Sequence, residues 1–379
     1  MIYLDQAATV LPKPECVARA CYDAVRWGGN GGRGGHNASL DSLRAVYKVR
    51  CQVAERFGLA QPERVCFTAG ATDSLNIVLN GTLNPGDHVI TTALEHNSVL
   101  RPLYRLRERG VELTILPLTE NGEVDWSRLP GAVRPNTRAL VCCHGSNLTG
   151  AVQPLFRLGQ FCRENGLLFI VDAAQTAGLF PIHMAEMGIS ALAAAGHKSL
   201  LGPQGVGLLL VSPGVDVRPF RVGGTGVQSR NTHQPEEYPT HLEAGTLNGP
   251  GIAGLGAALD WLAGQDTEKL RRREQDFARR FYEGVRDLPG LNVYGNFDAA
   301  ERCPIVSLNL GSWDSAAVAD ELAQRFGIAV RPGLHCAPLV HAHFGTTEQG
   351  MVRFSFSHVN IEDEVEQGIA AMRVLALEE

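Results

Sequence analysis

The segment Ala195-Gly196-His197-Lys198-Ser199, continued by Gly202-Pro203-Gln204-Gly205-Val206-Gly207, surrounds one lysine with glycines. Glycine lets two stretches of backbone approach closely, and an ammonium crowded out of water gives up its proton more easily. A neutral lysine amine can attack a carbonyl carbon to form a Schiff base, so Lys198 is a candidate covalent catalyst, although a His-Lys pair is equally at home on a surface. Leu168-Phe169-Ile170-Val171-Asp172-Ala173-Ala174-Gln175 ends an apolar run on a carboxylate. That charge needs a strong partner if buried; a protonated ring nitrogen would serve, and a helix cap is the alternative use. Gly70-Ala71-Thr72 opens a helical stretch with small residues. Free N–H groups and the helix dipole suit a phosphate there, and Thr72 could cap the helix as well as bind the anion. Glu95-His96-Asn97 offers an imidazole that could lie over a flat ring and exchange protons, or be structural. Asn147, in Gly145-Ser146-Asn147-Leu148-Thr149-Gly150, could face a ligand or only form a turn.

Short apolar runs at Arg64–Thr68, His88–Thr92, Leu113–Pro117, Ala139–Cys143, Leu167–Asp172 and Gly205–Val211 alternate with helical stretches at Thr72–Leu83, Ser98–Arg109 and Leu155–Asn165. The runs are apolar on both faces, as parallel strands between two helical layers are. In such an α/β layout functional groups collect at the carboxyl ends of the strands, where Asp172, His96, Asn147 and Thr72 fall. After residue 250 the texture becomes α+β, with helices at Ile252–Leu262, Glu268–Leu288, Ser315–Phe326 and from Ile361, and strands at Ile305–Leu310 and Met351–Ser357. This predicts a large domain over 16–250, a smaller one over 251–379, and an N-terminal segment, 1–15, packed with the smaller one. The stretch Gly223–Thr246 reads as an ordered loop near the site.

Nine cysteines occur, with no C-x-x-C pair, which speaks against a disulfide framework or a zinc site. Cys66, Cys142 and Cys143 read as small core residues. Cys336 differs, lying in the turn-rich Arg331-Pro332-Gly333-Leu334-His335-Cys336-Ala337-Pro338. A net charge of −6 gives no sign of a nucleic-acid or membrane-surface partner, no apolar run approaches a membrane span, and the opening residues lack a signal-peptide pattern. A cytoplasmic location is the expectation.

Taken in order, these motifs resemble a fold-type I pyridoxal-phosphate enzyme of the class V aminotransferase superfamily, in its cysteine desulfurase and selenocysteine lyase branch. The resemblance runs from Tyr3-Leu4-Asp5-Gln6-Ala7-Ala8 to Val352-Arg353-Phe354-Ser355-Phe356, and Arg331-x-Gly333-x-His335-Cys336 is similar to the motif of the group II desulfurases. It implies a large domain with a mostly parallel seven-stranded sheet and a smaller α+β C-terminal domain. It also implies that Lys198 holds the cofactor, His96 stacks on its ring, Asp172 pairs with the ring nitrogen and Gln175 meets the phenolic oxygen. Thr72 and His197 would hold the phosphate, with Ala71 and Asn147 also against the cofactor, and Thr246 would reach the phosphate of the partner subunit in a homodimer. Asn147 and Arg353 would grip the substrate, with Arg331 and Arg33 nearby. Ala71, Ala195 and Gly32 depart from residues frequent in the family.

The implied reaction converts L-cysteine to L-alanine and leaves a persulfide on Cys336 for an acceptor protein. Lys198 would be the base and His96 a proton shuttle, while Arg331, His335 or other cations of the site would favour the Cys336 thiolate. L-selenocysteine is the alternative substrate, and C–S β-elimination, transamination and a catalytically idle sulfur carrier are the other readings open at this point.

Overall fold

The computed structural model describes residues 1–31 and 35–378, so Gly32 and Arg33 lie outside the described residues. The chain opens with β1 (Ile2–Tyr3), α1 (Glu15–Trp27) and α2 (Asn37–Arg56). Next come β2 (Val65–Thr68), α3 (Ala71–Thr82), β3 (His88–Thr92), α4 (Asn97–Arg107) and β4 (Glu112–Leu116). The one-turn α5 (Leu129–Ala132), β5 (Thr137–Cys143), α6 (Leu155–Glu164), β6 (Leu168–Asp172), β7 (Ala191–Ala195) and β8 (Gly207–Val211) complete a seven-stranded sheet of order β2-β8-β7-β6-β5-β3-β4.

Every strand of that sheet runs one way except β8, which is antiparallel to both neighbours. The exception has a physical reason. A parallel return needs a crossover of roughly a dozen or more residues, usually a helix. The link from β7 to β8 contains no helix, so the chain turns back on itself, and this turn carries Lys198. Apolar side chains of α3 and α4 cover one face of the sheet, and those of α2, α6 and α7 cover the other.

Downstream lie α7 (Gly249–Ala263), α8 (Thr267–Val285), β9 (Leu291–Tyr294), β10 (Ile305–Leu310), α9 (Ser315–Phe326), β11 (Ile328–Ala329), α10 (Pro338–Phe344), β12 (Val352–Ser355) and α11 (Glu362–Glu378). A three-stranded antiparallel sheet, β12-β10-β9, packs with α8, α9 and α11 around a second core that includes Leu4. β1 pairs parallel with β11, so the first residues are built into this α+β part. No helix among the described residues is long and apolar enough to cross a membrane.

Candidate active site

Strand ends and the turns after them enclose a cavity of about 160 Å3 lined by Gly70, Ala71, Thr72, His96, Ser98, Asn147, Asp172, Gln175, His197 and Lys198, among others. The Lys198 turn is tightly closed. Leu201 N donates to Lys198 O at 2.8 Å and Gly202 N to Gly196 O at 2.7 Å. A Cβ on Gly196 would stand 2.8 Å from Val206 O, which accounts for the glycine. Burial pulls the Lys198 amine down to about 8, against an opposing pull from Asp172. Asp172, 5% exposed at the end of β6, accepts from Ala174 N at 2.9 Å through Oδ1, and burial raises its pKa.

His96 caps α4, where its Nδ1 accepts from Ser98 N at 3.0 Å. Ser98 Oγ lies 2.8 Å from that nitrogen and 2.7 Å from Thr72 Oγ1. The accepting role leaves Nδ1 bare and the hydrogen on Nε2, and burial, helped by Lys198, holds the imidazole at about 4, hence neutral. Ser98 was not legible as a site residue. Thr72 is not the cap of α3: that position is Gly70, with no side-chain cap bond, and the Thr72 hydroxyl goes to Ser98 instead. The start of α3 therefore keeps free backbone donors facing the cavity. His197 is held near 4 by burial, with Nδ1 buried and unpartnered, while its carbonyl accepts from Thr9 Oγ1 at 3.2 Å and from Lys13 Nζ. Gln175 Nε2 donates to Ala7 O at 3.3 Å.

Arg353, on β12, is 1% exposed. Its Nη2 pairs with Asp5 Oδ1 at 2.8 Å and its Nη1 donates to Asn147 O at 3.0 Å, leaving Nε buried without a partner. Asp5 carries no role in the sequence reading, yet it neutralises this arginine. Arg331 pairs with Arg353 through backbone bonds, Arg353 N to Arg331 O at 2.8 Å among them, and among the described residues its guanidinium makes no hydrogen bond. Both arginines lie close enough to depress the basicity of Lys198 and His96.

Cys336 is partly buried on a turn in which His335 (φ 49°) and Cys336 (φ 56°) are both left-handed. Cys336 O accepts from Asn97 N at 2.8 Å, one residue from His96. His335 does not supply the positive charge that would favour a thiolate. Burial, with Arg353 beside it, drives its pKa down to about 3, so the ring is neutral. Thr246 lies outside the Lys198 cavity. It is exposed and lines a separate cleft of about 750 Å3 with Val25, Leu43, Tyr47 and Val227, on a segment fixed by the buried Arg50–Glu243 pair at 2.6 Å.

Residues 2–367 match the family described as aminotransferase class-V. The chain belongs to that family. A probable cysteine desulfurase of Methanothermobacter thermautotrophicus is 34% identical over 96% of this chain and 92% of its own length. A cysteine desulfurase of Pectobacterium carotovorum is 32% identical over 98% of this chain and 92% of its own. The solved cysteine desulfurase of Thermococcus onnurineus superposes with a TM-score of 0.93 at 30% identity, covering 100% of this chain and 95% of the other. This class V chain thus has the expected fold, that of the type I pyridoxal-phosphate enzymes.

Proposed function

We propose that this class V enzyme is a pyridoxal-phosphate-dependent cysteine desulfurase that converts L-cysteine to L-alanine and collects the sulfur on Cys336. The observation that carries the reading is the meeting of Lys198, Asp172 and His96 in one cavity, with the lysine amine lowered to about 8 beside a buried carboxylate. The donor set fits the cofactor. The uncapped start of α3 and the buried, unpartnered His197 Nδ1 suit a phosphate, and Asp172 suits a ring nitrogen. Thr72 and His197 would hold the phosphate, with Ala71 at the same turn. His96 would lie against the ring, Asp172 would pair with its nitrogen, and Gln175 and Asn147 would meet its edge.

Pyridoxal phosphate, when bound, supplies an aldehyde for amine exchange and an electron-withdrawing ring that acidifies the substrate α-carbon. Lys198 has an amine basic enough to take the α-proton and weak enough to be neutral in an appreciable fraction near pH 8. Arg353 would hold the substrate carboxylate, with Arg331 supplying a second positive charge. Arg33 belongs to this proposal on the family resemblance alone. The Cys336 thiolate attacks the substrate sulfur; an S–S bond forms, the C–S bond breaks, and its electron pair stays with the carbon fragment, which regains its α-proton, takes up a second proton at Cβ and leaves as L-alanine. His96, neutral with a hydrogen on Nε2, is the nearby group able to move that proton.

The reading includes a homodimer in which Thr246 reaches the partner's cofactor site. Its support is an exposed Thr246 beside exposed apolar side chains at Val25, Leu43, Tyr47 and Val227, a patch of the kind that marks an interface. It also includes a cytoplasmic location, an acceptor protein for the persulfide, and a division at residues 15 and 250; a second apolar core built from Leu4 and residues from Phe277 onward supports two domains, although α7 packs on the large sheet. Product analysis tests the whole. L-cysteine with reductant should give alanine and sulfide in equal amounts, and pyruvate in place of alanine would assign the chain to elimination. Turnover confined to L-selenocysteine would make it a lyase of that substrate.

A further inference from the structure

The turn after β5 is gripped from the α+β side at three consecutive carbonyls. Arg353 Nη1 donates to Asn147 O at 3.0 Å, Ser307 Oγ to Leu148 O at 2.6 Å, and Arg302 Nη2 to Thr149 O at 3.0 Å. The turn is stiff in itself, because Ser146 Oγ accepts from Leu148 N at 3.3 Å and Thr149 N at 3.1 Å. One bond runs the other way. Asn147 Nδ2 donates to His335 O at 2.7 Å, and both residues are buried, at 7% and 3% exposure. Among the described residues this is the only side-chain hydrogen bond that ties residues 334–336 to the large sheet's strand ends.

The turn it holds has a strained backbone. Non-glycine residues rarely adopt left-handed φ, and here two do so in succession, at His335 and Cys336. Such a conformation persists only where its surroundings fix it. The other ties include Asn97 N to Cys336 O at 2.8 Å, Ala337 N to Leu334 O at 2.9 Å and the internal bond from His335 Nε2 to Arg331 O at 3.0 Å. We propose that Asn147 is the positioning residue for Cys336: its amide fixes the thiol-bearing turn while its own carbonyl fixes Arg353. Resting on the desulfurase reading above, this makes one asparagine set the distance between the sulfur acceptor and the carboxylate grip. It acts through the His335 backbone and not by touching the thiol.

The test uses the holoenzyme and two variants, Asn147→Ala and the nearly isosteric Asn147→Asp, which sets an acceptor against the His335 carbonyl. The first readout is the alkylation rate of Cys336 by iodoacetamide, followed by peptide mass, with exposed Cys16 in the same sample as reference. Loss of one buried hydrogen bond should free the turn and raise Cys336 alkylation by about tenfold relative to Cys16. In kinetics with L-cysteine, kcat should fall by about tenfold or more, because a misplaced nucleophile slows the sulfur step. A general loss of stability would move both cysteines together. Unchanged relative alkylation of Cys336 in the variant that folds overturns the proposal whatever the activity does. Because alkylation is read without turnover, failure of the desulfurase reading stays separate from failure of this one.

Discussion

Arg353 Nη2 and Asp5 Oδ1 lie 2.8 Å apart, an ion pair that joins β12 to the first residues of the chain. The arginine is almost wholly buried, so it cannot stand unpaired, and an arriving substrate carboxylate must share it with Asp5 or take it over. Removing one partner of a buried pair costs about 3–5 kcal/mol. Asp5→Ala should therefore lower the urea midpoint clearly. Arg353→Lys should raise the KM for L-cysteine, since an ammonium cannot reproduce the planar fork. Cysteine methyl ester should be a poor substrate of the native enzyme; equal rates on ester and acid would leave Arg353 a structural role only.

Four histidines, His144 and His335 buried and His96 and His197 half-buried, make the fold sensitive to acid. Burial holds His96 and His197 near 4, and His144 and His335 near 3, against 6.5 when exposed. Below pH 6.5 the unfolded chain takes up protons that the folded chain refuses. Stability present above pH 6.5 is thus lost as pH falls toward 4, at up to about 1.4 kcal/mol per pH unit for each histidine. His144, with Nδ1 2.9 Å from Thr176 Oγ1, is 5% exposed and lines no part of the Lys198 cavity. Urea unfolding at pH 7.5 and 5.0 should show a smaller difference in His144→Asn than in the native chain. An unchanged difference would remove His144 from this account.

Lys198→Ala should leave no pyridoxal phosphate that borohydride can fix to the chain, and covalent cofactor on another lysine would defeat the assignment. Asp172→Ala should weaken cofactor binding and abolish nearly all turnover, because the ring nitrogen would lose its counter-charge. The measurement is cofactor content after dialysis together with alanine production.

Thr246 lies outside its own chain's Lys198 cavity, so its variants separate a shared site from a private one. Co-expressing Lys198→Ala with Thr246→Ala should form mixed dimers with one intact site, and activity should exceed the sum of the two parents. No gain, or an active monomer in sedimentation, would refute composite sites.

The site was legible where it depended on strand ends. His96, Asn147, Asp172 and Lys198 all meet in one cavity because an α/β sheet gathers the residues after its strands. β7 was not legible: Ala191-Leu192-Ala193-Ala194-Ala195 is made of strong helix formers, and only its place between β6 and β8 makes it a strand. The reversal of β8 was hidden because an apolar run carries no direction. The partnership of Asp5 with Arg353 spans 348 positions, beyond any local pattern, and Ser98 became visible only once α4 set its hydroxyl between His96 and Thr72.

Cys336→Ala decides the chemistry. The thiol sits on a left-handed turn bonded to the backbone beside His96 and next to a neutral His335, and sulfur abstraction from cysteine has no evident substitute for it. The variant should keep its cofactor and still bind L-cysteine, since those steps rely on Lys198, Asp172 and Arg353. It should form no persulfide and almost no alanine. Selenium leaves carbon more readily than sulfur, so residual turnover of L-selenocysteine would be compatible with the mechanism. In the native protein, alkylation after cysteine and before reductant should leave one extra sulfur on the Cys336 peptide by mass. If alanine production survives in Cys336→Ala, or the sulfur is found on another cysteine, the sulfur step drawn here is wrong, and release of pyruvate and ammonia would move the chain to C–S elimination.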